Sequence, residues 1–444
     1  MIPRVVVAGT SSGAGKTTVA SGLIGALRAR GEVAQGFKVG PDYIDPSYHA
    51  LAAGRPGRNL DAFLSGPELI APLFRHGTAG ADIAVIEGVM GLFDGASGRG
   101  ELASTAHVAK LLHAPVVLVV DGSAMARSAA AVVHGFATFD PELSVAGVIF
   151  NRVGSDAHEA LLREAVEPLE VPVLGALRRD DRITAPERHL GLVPTAEREL
   201  RAGEALATLA EAIGRSVDLE AVGRLARAAP ELPGPAWSPA PSDEPTPARI
   251  AIARGPAFSF HYAENLELLT AAGAELLPFD PTVDERLPDS AGGLILAGGF
   301  PEVFGPELAA NASLRAEVRA VAARGRPVLA ECGGLLYLLD ELDGHPMCGV
   351  VAGRGEMAGR LTLGYREARA ATATPWMADG DAIRGHEFHY SSVTAGGAPA
   401  WELSARGTTR AEGIVAGAVQ ASYLHVHWAA FPEVAARFAR VAAA

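Results

Sequence analysis

The residue types in Glu331-Cys332-Gly333-Gly334 fit nucleophilic chemistry. The stretch follows a short apolar strand candidate, Pro327-Val328-Leu329-Ala330, and precedes a helix-like run, Leu335-Leu336-Tyr337-Leu338-Leu339. A cysteine at such a junction meets free backbone N–H groups and the positive end of a helix dipole, and both favour a thiolate. The glycines behind it allow a sharp turn and a close approach by substrate. This spacing predicts a nucleophile elbow with sulfur in place of oxygen. The competing reading is a buried structural cysteine, since free cysteine is among the most buried residue types. Further on, Gln420-Ala421-Ser422-Tyr423-Leu424-His425-Val426-His427-Trp428 reads as a strand with two histidines on one face. Either could take the Cys332 proton. The pair Gly298-Gly299 ends another strand candidate, 292–297, and would expose backbone N–H groups as an oxyanion hole requires. Arg384-Gly385-His386-Glu387-Phe388-His389-Tyr390-Ser391 is dense in polar side chains for a strand.

A second chemistry is written at the other end of the chain. Gly9-Thr10-Ser11-Ser12-Gly13-Ala14-Gly15-Lys16-Thr17-Thr18 lies between the first strand candidate and the first helix candidate, where a phosphate loop belongs. Its backbone N–H groups, around Gly13 and Gly15, would cradle ATP phosphates. Lys16 would reach the β- and γ-phosphates, Thr17 would bind Mg²⁺, and Thr18 completes the motif. Thr10 stands where the usual pattern has its first glycine. Ile83-Ala84-Val85-Ile86-Glu87 reads as a buried strand whose terminal carboxylate is placed to hold Mg²⁺. Asn151 ends a further apolar strand and could bond the nucleotide base, although Asn is also a turn former. After the second strand comes Phe37-Lys38-Val39-Gly40-Pro41-Asp42-Tyr43-Ile44-Asp45-Pro46-Ser47-Tyr48-His49. Two aspartates held by Gly-Pro and Asp-Pro turns suit Mg²⁺ and substrate positioning, and Lys38 suits a transferring phosphoryl group. Arg58-Asn59-Leu60-Asp61 reads as a second polar loop without a clear role.

The elements that must position these groups alternate. Strand candidates at 4–9, 33–38, 82–87, 115–121, 145–151 and 172–176 are separated by helical patterns such as 17–30 and 104–112. That alternation predicts a parallel sheet wrapped by helices. Residues 196–229 read as helical, and the proline-dense stretch 230–247 reads as a semi-rigid linker. The alternation restarts at Arg249-Ile250-Ala251-Ile252-Ala253. The expectation is an α/β protein of two domains, 1–229 and 248–444, joined by 230–247.

Composition bounds the rest. At 444 residues the chain exceeds one ordinary core. It is 49% hydrophobic and 20% charged, a globular composition. Two cysteines exclude a disulfide scaffold and fit a reducing cytosol. No leader-like segment opens the sequence, and no uncharged run reaches the roughly 18 residues of a membrane span. A net charge of −13 argues against a general nucleic-acid binder. A homodimer is the default assembly for such a chain.

Taken together, these motifs resemble a known family. Cys332 in Glu-Cys-Gly-Gly, Gly298-Gly299 and the late Tyr-x-His resemble a class I glutamine amidotransferase domain. The phosphate loop, Glu87 and Asn151 resemble the dethiobiotin-synthetase-type P-loop fold. With Lys-Val-Gly-Pro-Asp-Tyr-Ile-Asp-Pro, Glu-Gly-Val-Met-Gly-Leu-Phe-Asp-Gly and Gly-His-Glu-Phe-His-Tyr-Ser added, nearly the whole chain resembles the cobyrinate and hydrogenobyrinate a,c-diamide synthases of cobalamin synthesis. The resemblance implies an amide ligase that uses glutamine, Mg-ATP and a corrinoid tetrapyrrole. Cys332 would attack glutamine, His425 would activate it, and Gly299 would help bind the oxyanion. His427 replaces the usual class I glutamate, which implies a Cys–His dyad. In the first domain Asp42, Asp45 and Glu87 would position metal and carboxylate, with Lys38 and Tyr43 at the substrate. Ala- and Arg-rich wording such as residues 52–61 looks actinobacterial and favours the metal-free substrate. Amidation of another tetrapyrrole, such as nickel-sirohydrochlorin, would use the same motifs. A P-loop switch with a non-catalytic second domain would leave Cys332 and both histidines without a role.

Overall fold

The computed structural model describes residues 2–180, 199–239 and 246–444. Residues 196–198 of the expected helical segment and 240–245 of the expected linker lie outside them. The chain divides into two compact units, and the division falls between Ser238 and Pro239, within the proline-dense stretch.

In the first unit seven strands form one sheet: β1 (Arg4–Gly9), β2 (Ala34–Val39), β3 (Arg58–Leu60), β4 (Ile83–Glu87), β5 (Val116–Asp121), β6 (Val145–Val153) and β7 (Val173–Arg178). Their order is β3-β2-β4-β1-β5-β6-β7, and every pairing is parallel. Parallel sheets are covered on both faces, so their strands read as continuous apolar runs rather than alternating ones. Val5, Val6 and Val7 are accordingly all buried, as are Val117, Leu118 and Val119. Six of the seven strands therefore lie within a residue or two of where the apolar runs place them. β3 is the exception. Its three residues, two of them polar, are too few to register as an apolar run, and the stretch read as a loop is an edge strand on β2.

The stretch after β2 also differs from the turn-held loop expected of it. A helix, α2 (Ile44–Ala53), begins inside it. Asp42 Oδ1 accepts the N–H of Ile44 at 2.7 Å and of Asp45 at 3.4 Å, satisfying two orphan donors of the first turn. Pro46 stands in that same turn, where a missing N–H costs no intrahelical bond.

The second unit holds a parallel sheet in the order Ile414–Ala416, Val419–Ser422, β11 (Val328–Glu331), β10 (Gly293–Leu296), β8 (Ala248–Ala253), β9 (Ala274–Phe279). Only the outermost pair, Ile414–Ala416 with Val419–Ser422, is antiparallel. A second, mainly antiparallel sheet is built on the long hairpin Gly353–Ala370 and Ala382–Ala395. Strand–helix alternation does not announce this hairpin, because its faces mix polar and apolar residues. His425–Val426 joins its edge, pairing Gly385 with Val426 and His386 with His425. The segment read as a single strand over 420–428 therefore breaks after Ser422, whose Oγ accepts the Leu424 N–H at 2.9 Å, and passes from one sheet to the other. Among the described residues no helix is long and apolar enough to cross a membrane.

Candidate functional site

In the first unit the chemistry gathers at the C-terminal ends of β1, β2 and β4, the edge where ligands of open α/β sheets bind. Register makes Lys38 of β2 the partner of Glu87 of β4, so both side chains leave the same face. The turn into α1 (Lys16–Ala29) is left-handed at Gly13 (φ 78°) and Gly15 (φ 100°). A Cβ at Gly15 would meet Asn151 Nδ2 at 2.0 Å, so only glycine allows this approach. That nitrogen donates to the Ala14 carbonyl at 3.0 Å. Asn151 thus props the phosphate loop from outside, and its amide N–H is engaged with the loop backbone. Lys16 curls back over the loop, with Nζ 3.0 Å from the Ser11 carbonyl.

Thr17 Oγ1 donates to Glu87 Oε1 at 2.6 Å. Lys38 Nζ donates to the same oxygen at 2.7 Å and to the Gly88 carbonyl at 3.0 Å, and forms an ion pair with Asp45 Oδ2 at 2.5 Å. His49 Nε2 lies 2.7 Å from Glu87 Oε2. Lys38, Asp45, His49 and Glu87 are all buried. Burial opposes ionisation of Glu87, but Lys38 and His49 outweigh it and hold that carboxyl far below its usual range. Burial, with Asp42 and Glu87 adding to it, pushes Asp45 upward against the pull of Lys38. Lys38 lies inside this cluster, 1% exposed, with its ammonium against both Glu87 and Asp45. Asp42 and Tyr43 border it at the start of α2, with Asn59 Nδ2 holding the Gly40 and Asp42 carbonyls at 2.8 and 2.7 Å. Asp94 accepts the Gly91 N–H at 3.0 Å and closes the turn after β4.

His49 received no role from the sequence. Its signal was there, four residues after Asp45, which places both on one helix face. The Thr17 hydroxyl beside the Glu87 carboxylate is a pair of hard oxygen donors that fits Mg²⁺. Among the described residues no group of three His, Cys, Asp or Glu side chains forms a ready-made metal cage.

In the second unit Cys332 occupies the turn between β11 and the helix Gly333–Leu338, at φ 49° and ψ −100°. A non-glycine residue there is strained, and strain of this kind gathers at functional sites. The sulfur accepts from the Gly333 N–H and lies 3.9 Å from the Phe388 carbonyl. Burial and the nearby carboxylate of Glu302 nevertheless push the thiol far up, so it needs a base to react. Gly299 packs against the same turn. A Cβ on Gly333 would stand 3.0 Å from the Gly299 nitrogen, and one on Gly299 would strike the Ala257 carbonyl at 2.1 Å.

The two histidines part company here. His425 Nδ1 lies 3.6 Å from Glu331 Oε2, its ring stacks on His386 at 4.9 Å, and a Cβ on Gly298 would meet its Cε1 at 2.5 Å. His427 instead packs on Tyr262 at 4.7 Å, with Nε2 3.3 Å from Glu264 Oε2. His425 is therefore the histidine beside the cysteine turn and its glycine pair. Glu412 is engaged elsewhere, accepting from Ser422 Oγ at 2.6 Å and the Tyr423 N–H at 2.8 Å.

Residues 5–193 match the CobQ/CobB/MinD/ParA nucleotide binding domain, and residues 249–433 match the CobB/CobQ-like glutamine amidotransferase domain. The hydrogenobyrinate a,c-diamide synthase of Streptomyces coelicolor is 55% identical, over 98% of this chain and 97% of its own. The chain belongs to the hydrogenobyrinate and cobyrinate a,c-diamide synthase family. Within that family it is 51% identical to the hydrogenobyrinate a,c-diamide synthase of Mycobacterium bovis, over 100% of this chain and 98% of the other. It is 44% identical to the cobyrinate a,c-diamide synthase of a Synechococcus strain, over 96% of each. As a member of the family it is a glutamine-hydrolysing carbon–nitrogen ligase with an amidotransferase unit.

Proposed function

We propose that this chain amidates the a- and c-acetate carboxylates of hydrogenobyrinate, using ATP and glutamine, in cobalamin biosynthesis. The observation that carries the reading is the pairing on one chain of a strained cysteine elbow with a phosphate loop flanked by buried carboxylates. The metal-free substrate is preferred because relatives of that name are 51–55% identical, against 44–46% for those named for cobyrinate.

In the second unit the Cys332 proton passes to His425 as the sulfur bonds the glutamine carboxamide carbon. Gly299 donates to the oxyanion. The C–N bond breaks as the imidazolium protonates the leaving group, which departs as ammonia. Water then hydrolyses the thioester to glutamate and restores the thiol. In the first unit Lys16 and the N–H groups around Gly13 and Gly15 hold the ATP phosphates, and Asn151 borders the nucleotide. Thr17 and Glu87, with Asp42 nearby, would hold Mg²⁺, which screens phosphate charge when bound. Asp45, fixed by Lys38, and Tyr43 orient the acetate whose oxygen takes the γ-phosphoryl group. Ammonia displaces phosphate from that acyl phosphate and leaves an amide. Both cysteines are free, in keeping with a reducing cytosol.

The test is product mass after incubation with Mg-ATP and glutamine, with hydrogenobyrinate and cobyrinate supplied in parallel. Two carboxylates converted to amides on hydrogenobyrinate support the proposal. Conversion of cobyrinate alone overturns the substrate preference, and conversion of neither overturns the substrate.

A further inference from the structure

We propose that Glu331, the residue immediately before the nucleophile, is the carboxylate partner of His425, so that this amidotransferase site works as a Cys332–His425–Glu331 triad. The inference rests on the reading of Cys332 as the glutamine nucleophile. In this sequence the position two residues after His425 holds His427 rather than a carboxylate, which left a dyad as the expectation. The fold supplies the missing acid from another direction. Glu331 ends β11, and its register partner on the neighbouring strand is Ser422, three residues before His425. The chain turns at Tyr423-Leu424 and brings His425 Nδ1 to 3.6 Å from Glu331 Oε2. His425 is 1% exposed and the Glu331 side chain 14%, so their attraction is only weakly screened.

Three observations single out Glu331. Glu412 is another carboxylate beside this turn, and both of its oxygens are engaged by Ser422 and Tyr423. Glu264 faces His427. One face of the His425 ring is covered by His386, stacked at an interplanar angle of 20° and bonded through Nε2 to the Tyr262 hydroxyl at 3.0 Å. His386 is held neutral by burial, by His425 and by Arg366. It therefore acts as a plate that fixes the ring without repelling an imidazolium.

With Nδ1 turned to Glu331, the nitrogen that takes the thiol proton is Nε2. A separation of 3.6 Å is an ion-pair distance, longer than a hydrogen bond. It shortens as the imidazole becomes charged, which is when a partner contributes to the rate. Glu331 is thus a positioning residue that favours one tautomer and stabilises the imidazolium, while the sulfur and glutamine react. The other ionisable groups facing the pair are Cys332, Glu302, Glu412, His386 and, through His386, Arg366.

The experiment compares the full-length protein with Glu331→Gln and Glu331→Asp. It measures glutamine hydrolysis against pH, with kcat and KM separated, and amidation driven by ammonium salts. Glu331→Gln is expected to lower kcat for glutamine about a hundredfold with KM little changed. The pH–rate profile of glutamine hydrolysis should move to lower pH, because the base has lost a partner for its charged form. Glu331→Asp should recover part of the rate and of the shift, and ammonium-driven amidation should match the unmodified protein in both variants. Wild-type kcat and an unshifted profile in Glu331→Gln overturn the triad. Equal impairment of both variants with an unshifted profile overturns it as well, since that is the mark of a merely structural residue. If the unmodified protein hydrolyses no glutamine while still amidating with ammonium, the amidotransferase reading itself fails, and that outcome is distinct from the other two.

Discussion

Lys38 carries its ammonium into an interior where it is 1% exposed, between Asp45 and Glu87. Glu87 can remain charged there because that ammonium is present, and removing one partner of a buried ion pair strands the other. Lys38→Met should therefore lower the unfolding free energy of the first unit by about 3–5 kcal/mol. Denaturant unfolding followed by ligand-free tryptophan-independent signals, such as far-ultraviolet dichroism, measures this. A variant as stable as the parent would mean that Lys38 is not the counter-charge. Cys332 makes the opposite kind of prediction, since its loss removes chemistry and little packing. Cys332→Ala should abolish glutamine-driven amidation and leave ammonium-driven amidation at the parent rate, because ammonia enters after the thioester step. Product mass with each nitrogen source decides it, and loss of both activities would refute two separable sites. Lys16→Ala, by contrast, should remove amidation from either source, since both need the same phosphoryl activation.

At the level of elements, both sites are set by glycines on which neighbouring side chains rest. Gly298→Ala puts a Cβ 2.5 Å from His425 Cε1, and Gly15→Ala puts one 2.0 Å from Asn151 Nδ2 in a left-handed turn. Each variant should damage one half-reaction only. Gly298→Ala should reduce glutamine hydrolysis at least tenfold with ATP binding unchanged, and Gly15→Ala should weaken ATP binding at least tenfold with glutamine hydrolysis intact. Calorimetric ATP titration beside a glutaminase assay separates them, and a crossed result would contradict the geometry. These loops were legible in the sequence because a strand, a glycine-rich turn and a helix follow one another with their apolar runs intact. What stayed hidden was brought together by register or by a change of sheet. His49 meets Glu87 across α2 and β4, Glu331 meets His425 only after the chain leaves its sheet at Ser422, and the hairpin Gly353–Ala370 with Ala382–Ala395 has no apolar run to announce it. Local pattern encodes turns and buried strands, whereas pairing across sheets depends on contacts distant in sequence.

At the scale of the whole molecule, the buried carboxylates fall into two sets that respond to pH in opposite senses. Glu387, fully buried, is held by Arg366 at 2.6 Å and by Arg410. Burial works to raise this carboxyl, but His389, Arg410 and Arg366 outweigh it and bring it down to about 2 from an ordinary 4.5. A group whose folded value is depressed adds stability above its unfolded value and loses it as pH falls through the folded one. Glu387 therefore contributes fully above about pH 4.5 and loses its contribution between there and about pH 2. Burial raises Asp45 to about 8 and Glu302 to about 7, so their contributions are present in acid and are lost as pH rises through those values. Acid stability of the second unit should then be limited by the Glu387 cluster. By linkage it contributes about 3 kcal/mol at neutral pH, of which about 1 kcal/mol is lost by pH 3.5 and most of the rest near pH 2. Glu387→Gln should be less stable than the parent at pH 7, because two guanidinium groups then face an uncharged amide. The gap between the two proteins should narrow as pH falls from 4.5, because the parent carboxylate takes up a proton and the amide does not. Denaturant melts of both proteins at pH 7, 4.5 and 3.5 measure that gap, and a gap that stays constant across the series would show that Glu387 is not the carboxylate setting the acid limit.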